Sequence, residues 1–225
     1  MRRVPDLSEH NMILCYVTDR HLLHSDSPTE DLLACVERAS AAGLDWIQIR
    51  EKDLEARELI DLTRRAITVA KNAGAGRVLV NDRLDVALAA GADGVHLGGD
   101  SVSAKEIVRW RHEQNTAGEF LIGVSCHRLE EAKEAEAAGA SYIFFGPVYE
   151  TPSKAAFGAP QGIEKLREVC ASARIPVLAI GGITEENAEA CLCAGAQGIA
   201  AIRLFQQAPD LATVRQRVVR LRARS

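Results

Sequence analysis

Gln48, Arg50 and Lys52 occupy alternate positions in "WIQIREKD". Alternation puts them on one face of an extended chain and Ile47 and Ile49 on the other. The apolar pair suits a helix-covered surface, so the polar face points inward. Cations turned inward are costly unless an anion or a carboxylate meets them. Either they pair internally with an acid such as Glu51, or they bind an anion, which is the favoured reading. "NDR" sets Asp82 beside Asn81, where it could ligate Mg2+ together with a shared phosphate or cap the helix of "RLDVALAAG". Asp100 in "GGDS" is a second candidate ligand and, with Ser101, an equally good helix cap. In "SCH", His127 could exchange a proton near neutrality, with Ser125 beside it; a structural, hydrogen-bonded histidine is as good a reading. His96 in "VHLG" reads as structural. In "YETPSK", Thr151, Ser153 and Lys154 would donate hydrogen bonds to phosphate oxygens, and the following "AAFGAPQG" has the make-up of a lid. Gly181-Gly182 in "AIGGI", with Ile202-Arg203 further on, offers backbone amides for a second phosphate; a plain tight turn competes. Two anion sites in one mouth point to two phosphorylated substrates, or one large one.

Elements that could gather these residues recur along the chain. The strand-like runs "MILCYVTD", "WIQIRE", "RVLVND", "GVHLG", "LIGVSC", "YIFFGPV", "PVLAIGG" and "GIAAIRL" alternate with amphipathic helical segments. Gly43, Gly91, Gly139 and Gly195 each fit a helix stop before the next strand. Strict alternation predicts an α/β protein with a parallel sheet, and over 225 residues a closed (β/α)8 barrel. An open doubly wound sheet is disfavoured because no GxGxxG opens the first helix. No linker or composition shift divides the chain, so it reads as a single domain over 1–225, with residues 1–11 an extension. In such a barrel the polar residues above stand at the C-terminal strand ends, where barrel active sites lie.

Composition narrows the classes. Hydrophobic residues make up 47% of the chain, enough for a large core. No apolar run approaches the ~18 residues of a membrane span, and no secretory signal is legible. A net charge of −4 gives nucleic-acid binding no support. The cysteines form no CxxC pair and lack zinc-ligand spacing, so they read as reduced thiols of a cytoplasmic protein. The five arginines of "VRQRVVRLRARS" read as the solvated face of a last helix. A homodimer is compatible with all of this.

"QIREKD", "NDRLDVALAAGADGVHLGGDS", "IGVSCH", "GPVYETPSK", "PVLAIGGI" and "GAQGIAAI" together, in order and spacing from Tyr16 to about Phe205, resemble thiamine phosphate synthase. That resemblance implies a (β/α)8 barrel that joins hydroxymethylpyrimidine pyrophosphate to a thiazole phosphate and releases pyrophosphate. The thiazole nitrogen attacks the pyrimidine methylene carbon, through a carbocation-like intermediate. It implies a pyrophosphate site at Gln48, Arg50, Lys52, Asn81 and Lys154, and a Mg2+ aspartate at Asp82. Ser125, Thr151 and Ser153 would be polar substrate contacts, and Gly181, Gly182 and the end of the eighth strand the thiazole-phosphate contact. The pattern departs from the family at two points. Ser101 stands where the family places its second metal-ligating aspartate, leaving Asp100 as the substitute, and Arg203 replaces a small residue. The chain also resembles the sister thiazole tautomerases, in which His127 would move the proton. A non-catalytic thiazole-phosphate-binding regulator is a third reading. Retention of Gln48, Arg50, Lys52, Asn81 and Asp82 favours the synthase.

Overall fold

The computed structural model describes residues 12–74, 76–99, 101–113, 119–151 and 159–222. Eight parallel strands close into a barrel in the order β1-β2-β3-β4-β5-β6-β7-β8. They are β1 (Ile13–Val17), β2 (Trp46–Ile49), β3 (Arg77–Asn81), β4 (Gly94–Leu97), β5 (Leu121–Cys126), β6 (Tyr142–Phe145), β7 (Val177–Ile180) and β8 (Gly198–Ala201). Between them run α1 (Pro28–Ala41), α2 (Ala56–Asn72), α3 (Leu84–Ala90), α4 (Ala104–Glu113), α5 (Leu129–Ala137), α6 (Gly162–Ser172) and α7 (Ala188–Cys193). The short α8 (Arg203–Gln206) and then α9 (Leu211–Arg222) follow β8. The expected extension at 1–11 lies outside the described residues, as do Asp100, Ser153 and Lys154.

Strand alternation divides the apolar side chains into two cores. Ile13, Cys15, Trp46, Leu79, Leu121, Tyr142 and Phe144 belong to a cluster inside the barrel. Ile47, Ile49, Val78, Val80 and Phe145 face outward into the layer shared with the helices. Gln48 is therefore an interior residue, 2% exposed, as its spacing required.

The lower rim, at the N-terminal ends of the strands, repeats one device. Gly43, Gly91, Gly139 and Gly195 all adopt positive φ, which glycine does without penalty. The next residue but one, Asp45, Asp93, Ser141 or Gln197, then makes a reciprocal pair with the preceding odd-numbered strand. Its side chain accepts from the amide of Leu14, Val78, Ile122 or Val177, at 2.8–3.0 Å. Its own amide donates to the carbonyl of the same residue. Each clasp satisfies a strand-end amide that burial would otherwise orphan. With the bottom fastened in this way, the upper strand ends are left to carry chemistry.

Candidate active site

At the top of β2 and β3 a hydrogen-bonded chain starts at the interior and runs outward. Gln48 Nε2 donates to Asn81 Oδ1 at 2.9 Å, and Asn81 Nδ2 donates to Asp82 Oδ2 at 2.7 Å. Its polarity is set by its end. A carboxylate only accepts, so Asn81 must present its amide nitrogen to Asp82 and its oxygen to Gln48. Gln48 then presents Nε2 to Asn81. Its Oε1 is buried with no partner among the described residues. A buried acceptor left open costs about 1–3 kcal/mol, which is tolerable where a ligand supplies the donor.

Asp82 itself is in the left-handed region, at φ 59, a conformation that Asp tolerates better than most residues. The turn aims its carboxylate at β4's end, where Oδ1 accepts from Gly98 N at 2.9 Å and Ser101 Oγ at 2.5 Å. A Cβ on Gly98 would come within 3.2 Å of that oxygen. Burial pushes the Asp82 carboxyl up, but Ser101, Gly98, the nearby Lys52 and Asn81 together hold it below the ordinary aspartate range. Asp82 does not cap α3: Arg83 occupies that position, without a side-chain cap bond. Ser101 spends its proton on Asp82, so it orients the carboxylate.

Arg50 and Lys52 stand next to this chain. The alternative of internal pairing with Glu51 fails, because Glu51 is engaged elsewhere. Glu51 accepts from Thr18 Oγ1 at 2.6 Å and from Arg20 N and Arg20 Nη1, each at 3.1 Å. Thr18 Oγ1 in turn accepts from Arg50 N at 2.9 Å, which ties the strand end to the β1 loop. Among the described residues neither Arg50 nor Lys52 forms an ion pair. Two cations without carboxylate partners, beside an anionic Asp82, make a mouth suited to a polyanion with or without a divalent cation.

β5 brings Ser125 to the same mouth, half-buried, with its hydroxyl 2.9 Å from His96 Nε2. His96 Nδ1 lies 3.1 Å from Tyr142 Oη, so the expectation that His96 is structural holds for its position. Desolvation, with a smaller contribution from Arg50, outweighs Asp82 and pushes the imidazole down to about 3. The two residues after Ser125 end in His127, whose Nδ1 is hydrogen-bonded to the Gly146 carbonyl and whose amide donates to Glu131 Oε2 at 2.6 Å.

The stretch after β6 is fastened at both ends. Val148 N and Tyr149 N donate to the carbonyls of Ile180 and Gly181, at 2.9 and 3.0 Å. Gln161 N and Gly162 N return to Pro147 O and Val148 O, at 2.7 and 3.1 Å. Thr151 is thus carried on a loop whose base is pinned to β7. That pinning explains Gly181 and Gly182, both at positive φ. A Cβ on Gly181 would fall 2.5 Å from Pro147 Cβ, and one on Gly182 2.5 Å from the Glu150 carbonyl. Asn187 holds the turn from the far side, donating to Gly182 O and accepting from Thr184 N. At β8, Ile202 precedes α8 and Arg203 is exposed, forming no ion pair among the described residues.

The structure thus brings Gln48, Asn81, Asp82 and Ser101 into one bonded chain, with Arg50, Lys52 and Ser125 at the same rim. Sequence reasoning missed Tyr142, Thr18 and the engagement of Glu51. A strand glycine, Gly123, between a histidine and a tyrosine was the available signal for Tyr142.

A family model described as thiamine monophosphate synthase matches residues 14–205. A protein of Geobacter sulfurreducens, named provisionally as a thiamine-phosphate synthase, is 49% identical over 197 residues, 88% of each chain. The thiamine-phosphate synthase of Moorella thermoacetica is 39% identical over 203 residues, 90% of this chain and 92% of that one. Among solved structures, thiamine phosphate pyrophosphorylase from Pyrococcus furiosus superposes with a TM-score of 0.77 at 31% identity, covering 95% of this chain and 96% of that one.

Proposed function

This chain belongs to the thiamine monophosphate synthase family, and we propose that the mouth of its barrel performs the family's transfer with the residues gathered there. The reaction joins hydroxymethylpyrimidine pyrophosphate to a thiazole phosphate and releases pyrophosphate. It needs no strong base. It needs negative charge neutralised as the carbon–oxygen bond to the leaving group breaks.

Arg50 and Lys52, without ion-pair partners among the described residues, neutralise the pyrophosphate, and Thr151 on the β6 loop adds a hydroxyl; Ser153 and Lys154 are the further phosphate donors expected from the sequence. Gln48 takes a different part from the phosphate contact that its spacing suggested. Its open Oε1 repels a phosphate oxygen and suits an N–H on the pyrimidine. Ser125 supplies a hydroxyl beside it. Backbone amides around Gly181, Gly182, Ile202 and Arg203 take the thiazole phosphate, with Arg203 adding charge. The thiazole nitrogen then approaches the methylene carbon from the opposite side of the mouth.

The donor set fits Mg2+. Asp82 is a deprotonated carboxylate whose Oδ2 accepts a single hydrogen bond and keeps a lone pair for a cation, and three groups hold it in place. Mg2+ is commonly held by one or two carboxylates plus substrate phosphate and water. Asp82 would hold it, with Asp100 the second ligand expected from the sequence; when bound, the ion supplies positive charge to the departing pyrophosphate. Six free cysteines fit a reducing compartment, and we place the protein in the cytoplasm.

The observation that carries this reading is the pair of cations, Arg50 and Lys52, that form no ion pair among the described residues and stand beside the Gln48–Asn81–Asp82 chain. Its test is incubation of the purified protein with both substrates and Mg2+, with thiamine phosphate read as its fluorescent oxidation product. Metal-dependent product is expected. No product from folded protein would overturn the reading and make thiazole tautomerisation, with His127 as the proton carrier, the next assay.

A further inference from the structure

Tyr142, His96 and Ser125 form a chain across three neighbouring strands, and its proton positions can be derived. His96 pairs in register with Gly123, and Gly123 with Tyr142. Gly123 is required between them: a Cβ there would lie 2.3 Å from Tyr142 Oη and 2.6 Å from His96 Nδ1. The imidazole packs against Phe144, ring centroids 4.2 Å apart, and is engaged at both nitrogens, which together hold it in this orientation. Tyr142 is fully buried, and among the described residues His96 Nδ1 is the sole hydrogen-bond partner of its hydroxyl.

A phenol carries one proton, which must reach an acceptor when buried. Were Nδ1 protonated, the tyrosine oxygen would accept from it and its own hydrogen would be orphaned in the barrel interior. Tyr142 therefore donates to Nδ1. A neutral imidazole then carries its hydrogen on Nε2, which donates to Ser125 Oγ. An imidazolium would also donate from Nε2, so the conclusion at Ser125 does not depend on charge. With His96 donating to it, the Ser125 hydroxyl cannot give its own proton to His96, and that proton is left for the mouth.

We propose that Tyr142 and His96 are positioning residues that commit Ser125 to act as a hydrogen-bond donor, so that the substrate atom it meets is an acceptor: a phosphate oxygen or an unprotonated ring nitrogen. This rests on Ser125 facing substrate in the proposed reaction. It adds the direction of the bond, and it names two buried residues that control it without touching substrate.

Two measurements test it. Nitrogen-15 NMR of the histidine ring in the unaltered protein, free of substrate, should show the proton of His96 on Nε2. Protonation on Nδ1 alone overturns the proposal, whether or not the protein makes thiamine phosphate. The second is a cycle of Tyr142→Phe and Ser125→Ala. Removing the phenol lets the imidazole exchange tautomers and turns Ser125 away for part of the time. Tyr142→Phe should lower kcat roughly tenfold, the equivalent of one buried hydrogen bond of about 1.4 kcal/mol, with little change in KM for the thiazole phosphate. In the Ser125→Ala background it should cost nothing further. An equal loss in both backgrounds would mean a packing role only and would refute the proposal. If Tyr142→Phe does not fold, the NMR result on the unaltered protein decides.

Discussion

Replacing Glu51 by Gln changes one charge beneath the candidate site and leaves the side-chain shape intact. The Glu51 side chain is 1% exposed and takes three hydrogen bonds, from Thr18 Oγ1, Arg20 N and Arg20 Nη1. An amide retains one acceptor. If it stays on Arg20, the new NH2 faces Thr18 Oγ1, and the threonine hydroxyl loses its acceptor. If it stays on Thr18, the NH2 faces two donors. At least one charge-assisted bond is lost either way, and the first arrangement loses only one, worth about 1.5–3 kcal/mol. Arg20 is not orphaned, because Asp53 binds both of its terminal nitrogens at 2.7 and 2.5 Å, so the loss stays near the lower half of that range. For a chain of this size, about 2 kcal/mol lowers Tm by roughly 4–8 °C. Thr18 also holds the Arg50 amide at 2.9 Å, so the end of β2 loosens with it. KM for the pyrophosphate substrate should therefore rise, and KM for the thiazole phosphate should not. Thermal unfolding and steady-state kinetics check the two halves separately. An unchanged Tm would refute the assignment of Glu51 as the buried anchor, and an unchanged KM would refute its link to Arg50.

Four other outcomes follow from the same geometry. Asp82→Asn keeps the shape but removes the anion, and Mg2+-dependent turnover should fall at least about a hundredfold, as for loss of one preorganised charge-stabilising group; rate against Mg2+ concentration checks it. The Asp82 carboxyl is depressed in the folded state, so its stabilisation is complete above the unfolded value near ~3.9 and is lost as pH falls through the folded one. In metal-free buffer the stability gap between parent and Asp82→Asn should shrink as pH drops below about 4, and a constant gap in urea titrations would contradict the bonding described. Gln48→Met removes an unsatisfied buried acceptor but also the donor to Asn81 Oδ1; the two effects offset, so KM for the pyrimidine substrate should rise while Tm stays within a few degrees of the parent, or about 1 kcal/mol. Gly182→Ala meets the Glu150 carbonyl at 2.5 Å in a left-handed conformation; it should raise KM for the thiazole phosphate and cost at least ~1–2 kcal/mol of stability, read from urea unfolding.

The barrel was legible because amphipathic segments and apolar runs alternate throughout, and every second unit adds a glycine stop before its strand. Gln48 was legible because a period of two survives any register of the sheet and Arg50 continues it just past β2, whereas Lys52 lies beyond the strand in an exposed turn and reaches the same rim without strand alternation. Asp82 was visible as a carboxylate near cations, but two roles stayed open. Its positive φ, which aims it at Gly98 and Ser101, is a backbone property that residue type does not reveal. Glu51 was weighed as a partner for the cations, yet it points the other way, since odd and even positions face opposite sides of a strand. Tyr142 left only a faint signal, the strand glycine Gly123, because its contact with His96 spans β4, β5 and β6 and depends on the register that puts Gly123 between them. Asp100, Ser153 and Lys154 lie outside the described residues.

The four clasps of the lower rim differ from the upper rim in redundancy. Asp45, Asp93, Ser141 and Gln197 perform one task in four copies, with three chemically different side chains: carboxylate, hydroxyl and amide. Any acceptor of suitable reach serves, and a fault in one copy leaves the other three fastening the ring. Asn81 and Asp82 have no duplicate of their bonded chain among the described residues, and its polarity admits only one arrangement of oxygen and nitrogen. Mutational drift is thus unequally permitted at the two ends of the same strands: synonyms are allowed at the bottom, whereas at the top the wording is fixed.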